Sequence, residues 1–189
     1  MHAMEMLDNI VVHSLQVCRV ALFLSDSLEA DLNRDLVQAA ALLHDITKTR
    51  GILTQENHAE TGKEFIIDLG YSEVGDIVGQ HVLLDEYSAS DAPTEAEVVN
   101  YADKRVVHDR VTTLAQRIEY IMGRYGTKPE RREYIYLLGE KTKDLEDHLF
   151  GFCPFSPGEM EPLLGPDTCS RDFLEYSRIN NTGITTVGR

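Results

Sequence analysis

Apolar residues recur along most of this chain at intervals of three and four, the spacing that gathers them on one face of an α-helix. From Glu5 to Leu28 the positions Val17, Val20, Leu24 and Leu28 form such a stripe, and His13 falls on it one turn before Val17. The segment DLVQAAALLHD repeats the pattern through Leu36, Ala39, Ala40 and Leu43, and its apolar face runs directly into His44 and Asp45. A third helix is predicted over His58 to Leu69, with Gly70 as its stop. A fourth covers Glu73 to Leu84, where Val74, Ile77, Val78 and His81 share one side.

Pro93 turns the chain, and Thr94 with Glu97 has the spacing of a capping box. It opens a predicted long helix that runs through Asp103 to about Arg124 and ends at Gly126. Thr127 and Pro129 start another helix, whose stripe is Leu138, Thr142, Leu145 and Leu149 and whose end is Gly151. Strand-like alternation is nearly absent, so the expected class is all-α. Residues 152–189 hold four of the six prolines and no long periodic segment. They are expected to form a largely irregular, docked tail, with one helical turn near Arg171 to Arg178. The division that follows is a helical bundle over 1–126 and a C-terminal helix plus tail over 127–189.

Composition narrows the function classes. A 189-residue chain that is 42% hydrophobic can bury one substantial core. Its formal charge of −14 repels polyanions, so neither long nucleic acid nor an anionic membrane is an expected partner. Cys18, Cys153 and Cys169 form no CxxC pair and are read as reduced thiols. The N-terminus shows no signal core, and no run approaches the roughly 18 apolar residues that span a bilayer. A cytoplasmic location is the expectation.

The chemistry lies in the polar residues that sit on or beside the apolar stripes: His13, His44 with Asp45, His58, His81 and Asp103. Burying an unpaired carboxylate or a charged imidazole is costly, so such groups are normally paired or bound to metal. Neutral imidazoles with ionised carboxylates are a ligand set for Fe, Mn, Zn, Ni or Co. His44 and Asp45 lie about 100° apart on a helix and can reach a common ion from its edge. Each position also has a plainer account. His13 or His81 can be a hydrogen-bonded core histidine, His58 a surface residue, and Asp103 a partner of Lys104, Arg105 or Arg110. The residues alone support metal-assisted hydrolysis and no more.

In order, His13, ALLHDITK (Ala41 to Lys48), ENHAETG (Glu56 to Gly62), VGQHVLL (Val78 to Leu84) and NYADKRV (Asn100 to Val106) resemble the HD superfamily of metal-dependent phosphohydrolases, in its HDIG-like branch. The resemblance implies a compact helical HD-domain bundle and one or two divalent transition metal ions. One ion would be held by His13, His44, Asp45 and Asp103. A second would add His58 and His81, with Asp45 as the bridge. Thr47 stands where many relatives have glycine, and no HD-GYP signature follows the dyad, which disfavours cyclic-dinucleotide cleavage. The implied substrate is a small phosphorylated compound of nucleotide type, cleaved by a metal-activated water. Asp45 and Lys48 are the catalytic candidates; Lys48, Lys104 and Arg105 are the candidates for binding substrate phosphate. The alternatives are a non-catalytic, metal- and nucleotide-binding regulatory HD module, which can signal through the tail or a homodimer, and a metal-free helical interaction domain.

Overall fold

Helix α1 (Asp8–Ser27) is the one around which the others gather, because its apolar face continues on several sides: Val11, Val17, Val20, Ala21 and Leu24 are all fully buried. The computed structural model describes residues 1–85, 87 and 91–182. Against α1 pack α2 (Arg34–Leu43), α6 (Glu95–Lys104) and α10 (Cys169–Thr182). Among the described residues α1 alone has the length and hydropathy to cross a membrane, contrary to the expectation that no run reaches that measure. Its interspersed Ser14 and Gln16 are buried as well, and more than half of the apolar window lies inside the fold, so α1 is a core helix. Leu24→Ala should cost roughly 2–5 kcal/mol of unfolding free energy, measured by urea titration.

Asn33 caps α2 by accepting from the backbone N–H groups of Asp35 and Leu36. After His44 the chain makes a tight turn into a short helix that the periodicity does not show, α3 (Lys48–Thr54). Then α4 (His58–Asp68) and α5 (Ser72–Gly79) pack as an antiparallel pair. Gly62 lets α4 come close: a Cβ there would lie 3.3 Å from Val78 and 3.4 Å from Oγ1 of Thr47. Gly70, at φ +93°, ends the α4 segment in a conformation that L side chains disfavour. The fourth predicted helix is shorter than expected, and His81 lies just beyond it.

The capping box of Thr94 and Glu97 opens α6 as the sequence indicates, and every residue from Glu97 to Lys104 is buried. The long helix expected from Thr94 to Arg124 is instead interrupted. Strands β1 (Val106–Val107) and β2 (Arg110–Val111) form a small antiparallel hairpin, and α7 (Leu114–Tyr125) starts afresh. The reason is local. Val106, Val107, Val111, Thr112 and Thr113 are β-branched and disfavour helix, and Thr113 with Gln116 makes a second capping box. Helix α8 (Pro129–Phe150) begins on its proline and ends at Gly151 as predicted.

The segment expected to be largely irregular carries a short helix, α9 (Met160–Leu163), and the longer α10. Four prolines lie before α10, and none lies inside it. Phe173 and Tyr176 lie against the core, and Sγ of Cys169 donates to Oε1 of Gln16 on α1. Residues 183–189, the end of that expected irregular tail, lie outside the described residues.

Candidate metal centre

Six polar side chains from five places along the chain converge where α1, α2, α4, α5 and α6 meet. His13 comes from α1, His44 and Asp45 follow α2, His58 opens α4, His81 follows α5, and Asp103 is the penultimate residue of α6. His44, Asp45 and His81 are at most 2% exposed, and His13 and Asp103 each 7%. His58 is half-buried.

Three of the four imidazoles are oriented by the backbone. Nδ1 of His13 donates to the carbonyl of His108 at 3.0 Å, Nδ1 of His44 to that of Ala41 at 2.8 Å, and Nδ1 of His81 to that of Val78 at 2.7 Å. A hydrogen on Nδ1 leaves the Nε2 lone pair of a neutral ring pointing into the cluster, as metal-ligating histidines require. The hairpin supplies one of these supports: His108 adopts a left-handed backbone at φ 57°, while the neighbouring carbonyl of Asp109 accepts from Gln16 of α1. The tip of the hairpin is thereby stapled to the helix that bears His13.

The two oxygens of Asp45 face different partners. Oδ2 lies 3.3 Å from Nε2 of His44 and 2.6 Å from Nζ of Lys48. Oδ1 lies 3.3 Å from Nε2 of His58 and 3.5 Å from that of His81. Asp103 closes the first side, with Oδ1 3.1 Å from Nε2 of His13 and 3.9 Å from that of His44. The donor atoms form two overlapping groups, His13–His44–Asp45 and Asp45–His58–His81, each within 4.8 Å.

Satisfied polar groups do not explain this arrangement. Nε2 of His44 and Oδ1 of Asp45 are buried and make no hydrogen bond, a costly state unless something else engages them. Nε2 of His81 and Nε2 of His58 face each other at 3.2 Å. Imidazole nitrogens and carboxylate oxygens, with orphaned buried atoms at their centre, fit a divalent transition cation.

The electrostatics agree. Burial would raise the Asp45 and Asp103 carboxyls, yet His44 and Lys48 around Asp45, and Lys104, Arg117 and His13 around Asp103, hold both well below the usual range. Burial pushes His81 down to about 4, which keeps it neutral. Burial would lower His44 too, but Asp45 and then Asp103 outweigh it and raise its pKa.

The four basic residues nearby differ in what they can do. Lys48 opens α3, is partly exposed and grips Asp45; Asp45 and Asp103 raise its pKa against the effect of burial. Lys104, a substrate-binding candidate by sequence, is buried, with Nζ donating to the carbonyl of His81 at 2.7 Å and to Oδ2 of Asp103 at 3.0 Å. It braces the cluster from inside. Arg105, the other candidate, points away from the cluster, donating to the carbonyls of Thr112 and Pro157 and to the hydroxyl of Tyr101. Successive residues on a helix face different directions, and α6 leaves only Asp103 and Lys104 toward the histidines. Arg117 on α7 is the basic residue that the sequence did not bring forward: its Nη2 lies 3.5 Å from Oδ1 of Asp103. The predicted continuous helix hid it, although the capping box at Thr113 marks where α7 begins.

Thr47 lies between the two halves of the site, with its hydroxyl bonded to the carbonyl of His58 at 2.8 Å and to the hydroxyl of Thr61 at 2.9 Å. It ties the turn after Asp45 to the start of α4.

A family model described as HD domain matches residues 10–106, just over half of the chain, a span that contains all six converging residues. No curated protein and no solved structure matches the chain.

Proposed function

The chain belongs to the HD domain family, and on that premise we propose that it is a metal-dependent phosphohydrolase acting on a small phosphorylated substrate of nucleotide type. The observation that carries the proposal is the Asp45 carboxylate, whose two oxygens each face a different set of histidines. Such a carboxylate suits two cations: His13, His44, Asp45 and Asp103 would hold one, and Asp45, His58 and His81 the other. Bound there, divalent ions supply an activated water nucleophile and charge neutralisation for a phosphoryl group. The protein's own residues set the conditions. The backbone carbonyls hold the imidazoles in one tautomer, Lys104 fixes the Asp103 carboxylate, and the surrounding helices exclude bulk water from His44 and Asp45.

Charge supports a phosphorylated substrate. Lys48, Lys104 and Arg117 face Asp45 and Asp103, three basic side chains against two carboxylates before any metal is counted. In a chain of net charge −14, this is a local reversal of sign that a loaded centre would deepen. An anionic ligand balances it. Three free thiols suit a reducing compartment, and the cytoplasm is the setting we propose.

The test is turnover. Protein loaded separately with Mn, Fe, Co, Ni or Zn should release phosphate or a nucleotide from members of a panel of nucleoside mono-, di- and triphosphates and dinucleoside polyphosphates. Chelation should abolish the release, and restoring the metal should return it. Full activity after thorough metal removal would refute the proposal. Nucleotide binding without turnover by any loaded form would favour a regulatory module.

A further inference from the structure

Arg117 is not one of the six converging ligands, and its own packing does not account for it. It reaches Asp103 from 14 residues further along the chain, yet the contact is long, at 3.5 Å, and its Nε is buried without a hydrogen bond. A guanidinium carries five N–H donors. To be under-used in this way, on a side chain only 13% exposed, is costly unless a further acceptor completes it. The side chain is nevertheless held in place. Its guanidinium carbon lies 6.0 Å from the ring centre of Tyr120, and that ring packs edge to face against His108 at 5.2 Å. The capping box of Thr113 and Gln116 fixes where α7 starts.

Lys104 is buried and spends two of its three donors on Asp103 and the carbonyl of His81. Lys48 retains exposure beside Asp45. Arg117 stands at the other carboxylate, and the acceptor it now uses, Oδ1 of Asp103, is also the oxygen nearest Nε2 of His13 and His44. A loaded centre would take up that oxygen. The guanidinium then shares its acceptor with a cation, an arrangement balanced by an anion that offers paired oxygens.

We propose that Arg117 is a substrate-binding residue whose forked guanidinium takes two oxygens of the substrate's phosphoryl group, opposite Lys48. The proposal rests on the phosphohydrolase reading of the site. A planar fork matches phosphate in a way that an ammonium does not, so arginine and lysine are distinguishable here.

The test uses Arg117→Gln and Arg117→Lys in the full chain. Metal content is read by elemental analysis, binding of inorganic phosphate to the metal-loaded protein by calorimetry, and kcat and KM on the substrate found by the panel. Arg117→Gln should keep the wild-type metal content while weakening phosphate binding by roughly tenfold to a hundredfold, and kcat/KM should fall in parallel. Arg117→Lys should recover part of the affinity by restoring charge without the fork. Wild-type phosphate affinity in Arg117→Gln would overturn the proposal. So would loss of metal from both variants, because Arg117 would then serve Asp103 rather than substrate. Should Arg117→Gln fail to fold, Arg117→Lys decides by the same measurements: unchanged phosphate affinity refutes the fork, and weakened affinity at full metal content supports it. A metal-loaded wild-type protein that neither binds phosphate nor turns over any substrate would overturn the functional reading itself, and the role of Arg117 with it.

Discussion

Asp45→Ala should strip the protein of metal from both halves of its site and lower phosphate release by on the order of a thousandfold or more, since a metal centre contributes several kcal/mol to such a reaction. The expectation follows from geometry. Oδ2 of Asp45 lies beside His44, while Oδ1 lies beside His58 and His81, so one side chain serves both donor groups. Two inward imidazoles without a carboxylate make a poor site for a divalent ion. His58→Ala, by contrast, should lower occupancy on its own side and leave the ion of His13, His44 and Asp103 mostly bound. Elemental analysis after dialysis against each metal measures both outcomes. Thermal unfolding adds an independent readout, because an ion that binds only the folded state raises Tm, by more the further its concentration exceeds its Kd. The wild-type Tm should rise on adding metal, and that of Asp45→Ala should not. Wild-type metal content in Asp45→Ala would remove Asp45 from its place as the shared ligand. A wild-type ratio that never exceeds one ion per chain, together with unaltered activity of His58→Ala, would leave a single-ion site.

A large loss of stability from a single substitution outside the centre is expected at Arg105. Its guanidinium donates to the Tyr101 hydroxyl at 2.5 Å and to the carbonyls of Thr112 and Pro157 at 2.7 and 3.3 Å, and it pairs with Glu146 of α8 at 3.7 Å. The Tyr101 hydroxyl in turn donates to Glu146 at 2.5 Å. One buried side chain thereby joins α6, the hairpin, α8 and the segment before α9. Arg105→Leu leaves Glu146 to Lys143, at 3.2 Å from its other oxygen, and takes the donor from the carbonyls of Thr112 and Pro157 and from the Tyr101 hydroxyl; breaking buried contacts of this kind costs about 2–5 kcal/mol. Urea unfolding measures the loss. The double variant Arg105→Leu/Glu146→Leu should recover much of it, since removing both charges also removes the cost of burying them. A loss below about 1 kcal/mol in Arg105→Leu, the range of exposed pairs, would show that this network contributes little to stability.

Much of the fold was legible in the sequence, for a physical reason: helical periodicity, capping boxes and proline starts depend on residues within one or two turns of each other. Thr94 with Glu97 announced α6, Pro129 announced α8, and the stripe from Val17 to Leu28 announced α1. The capping box at Thr113 and the β-branched run before it were equally local, but the expected helix from Thr94 to about Arg124 ran across them. The six polar residues of the centre stood out because each lies on or beside an apolar stripe, which is also a local property. What they do together is not. That Asp45 turns one oxygen to His44 and the other to His58 and His81 depends on the close approach of α4 allowed by Gly62. That His13 is held by the carbonyl of His108 depends on a hairpin tip 95 residues away. The same holds for the cations, where Lys104 turns inward, Arg105 turns to the tail and Arg117 arrives from the next helix. Neighbours along the chain decided that these segments are helices with polar residues on their inner faces. Only the packing of the helices against one another decided which atoms meet, because distances between side chains far apart in sequence leave no period in it.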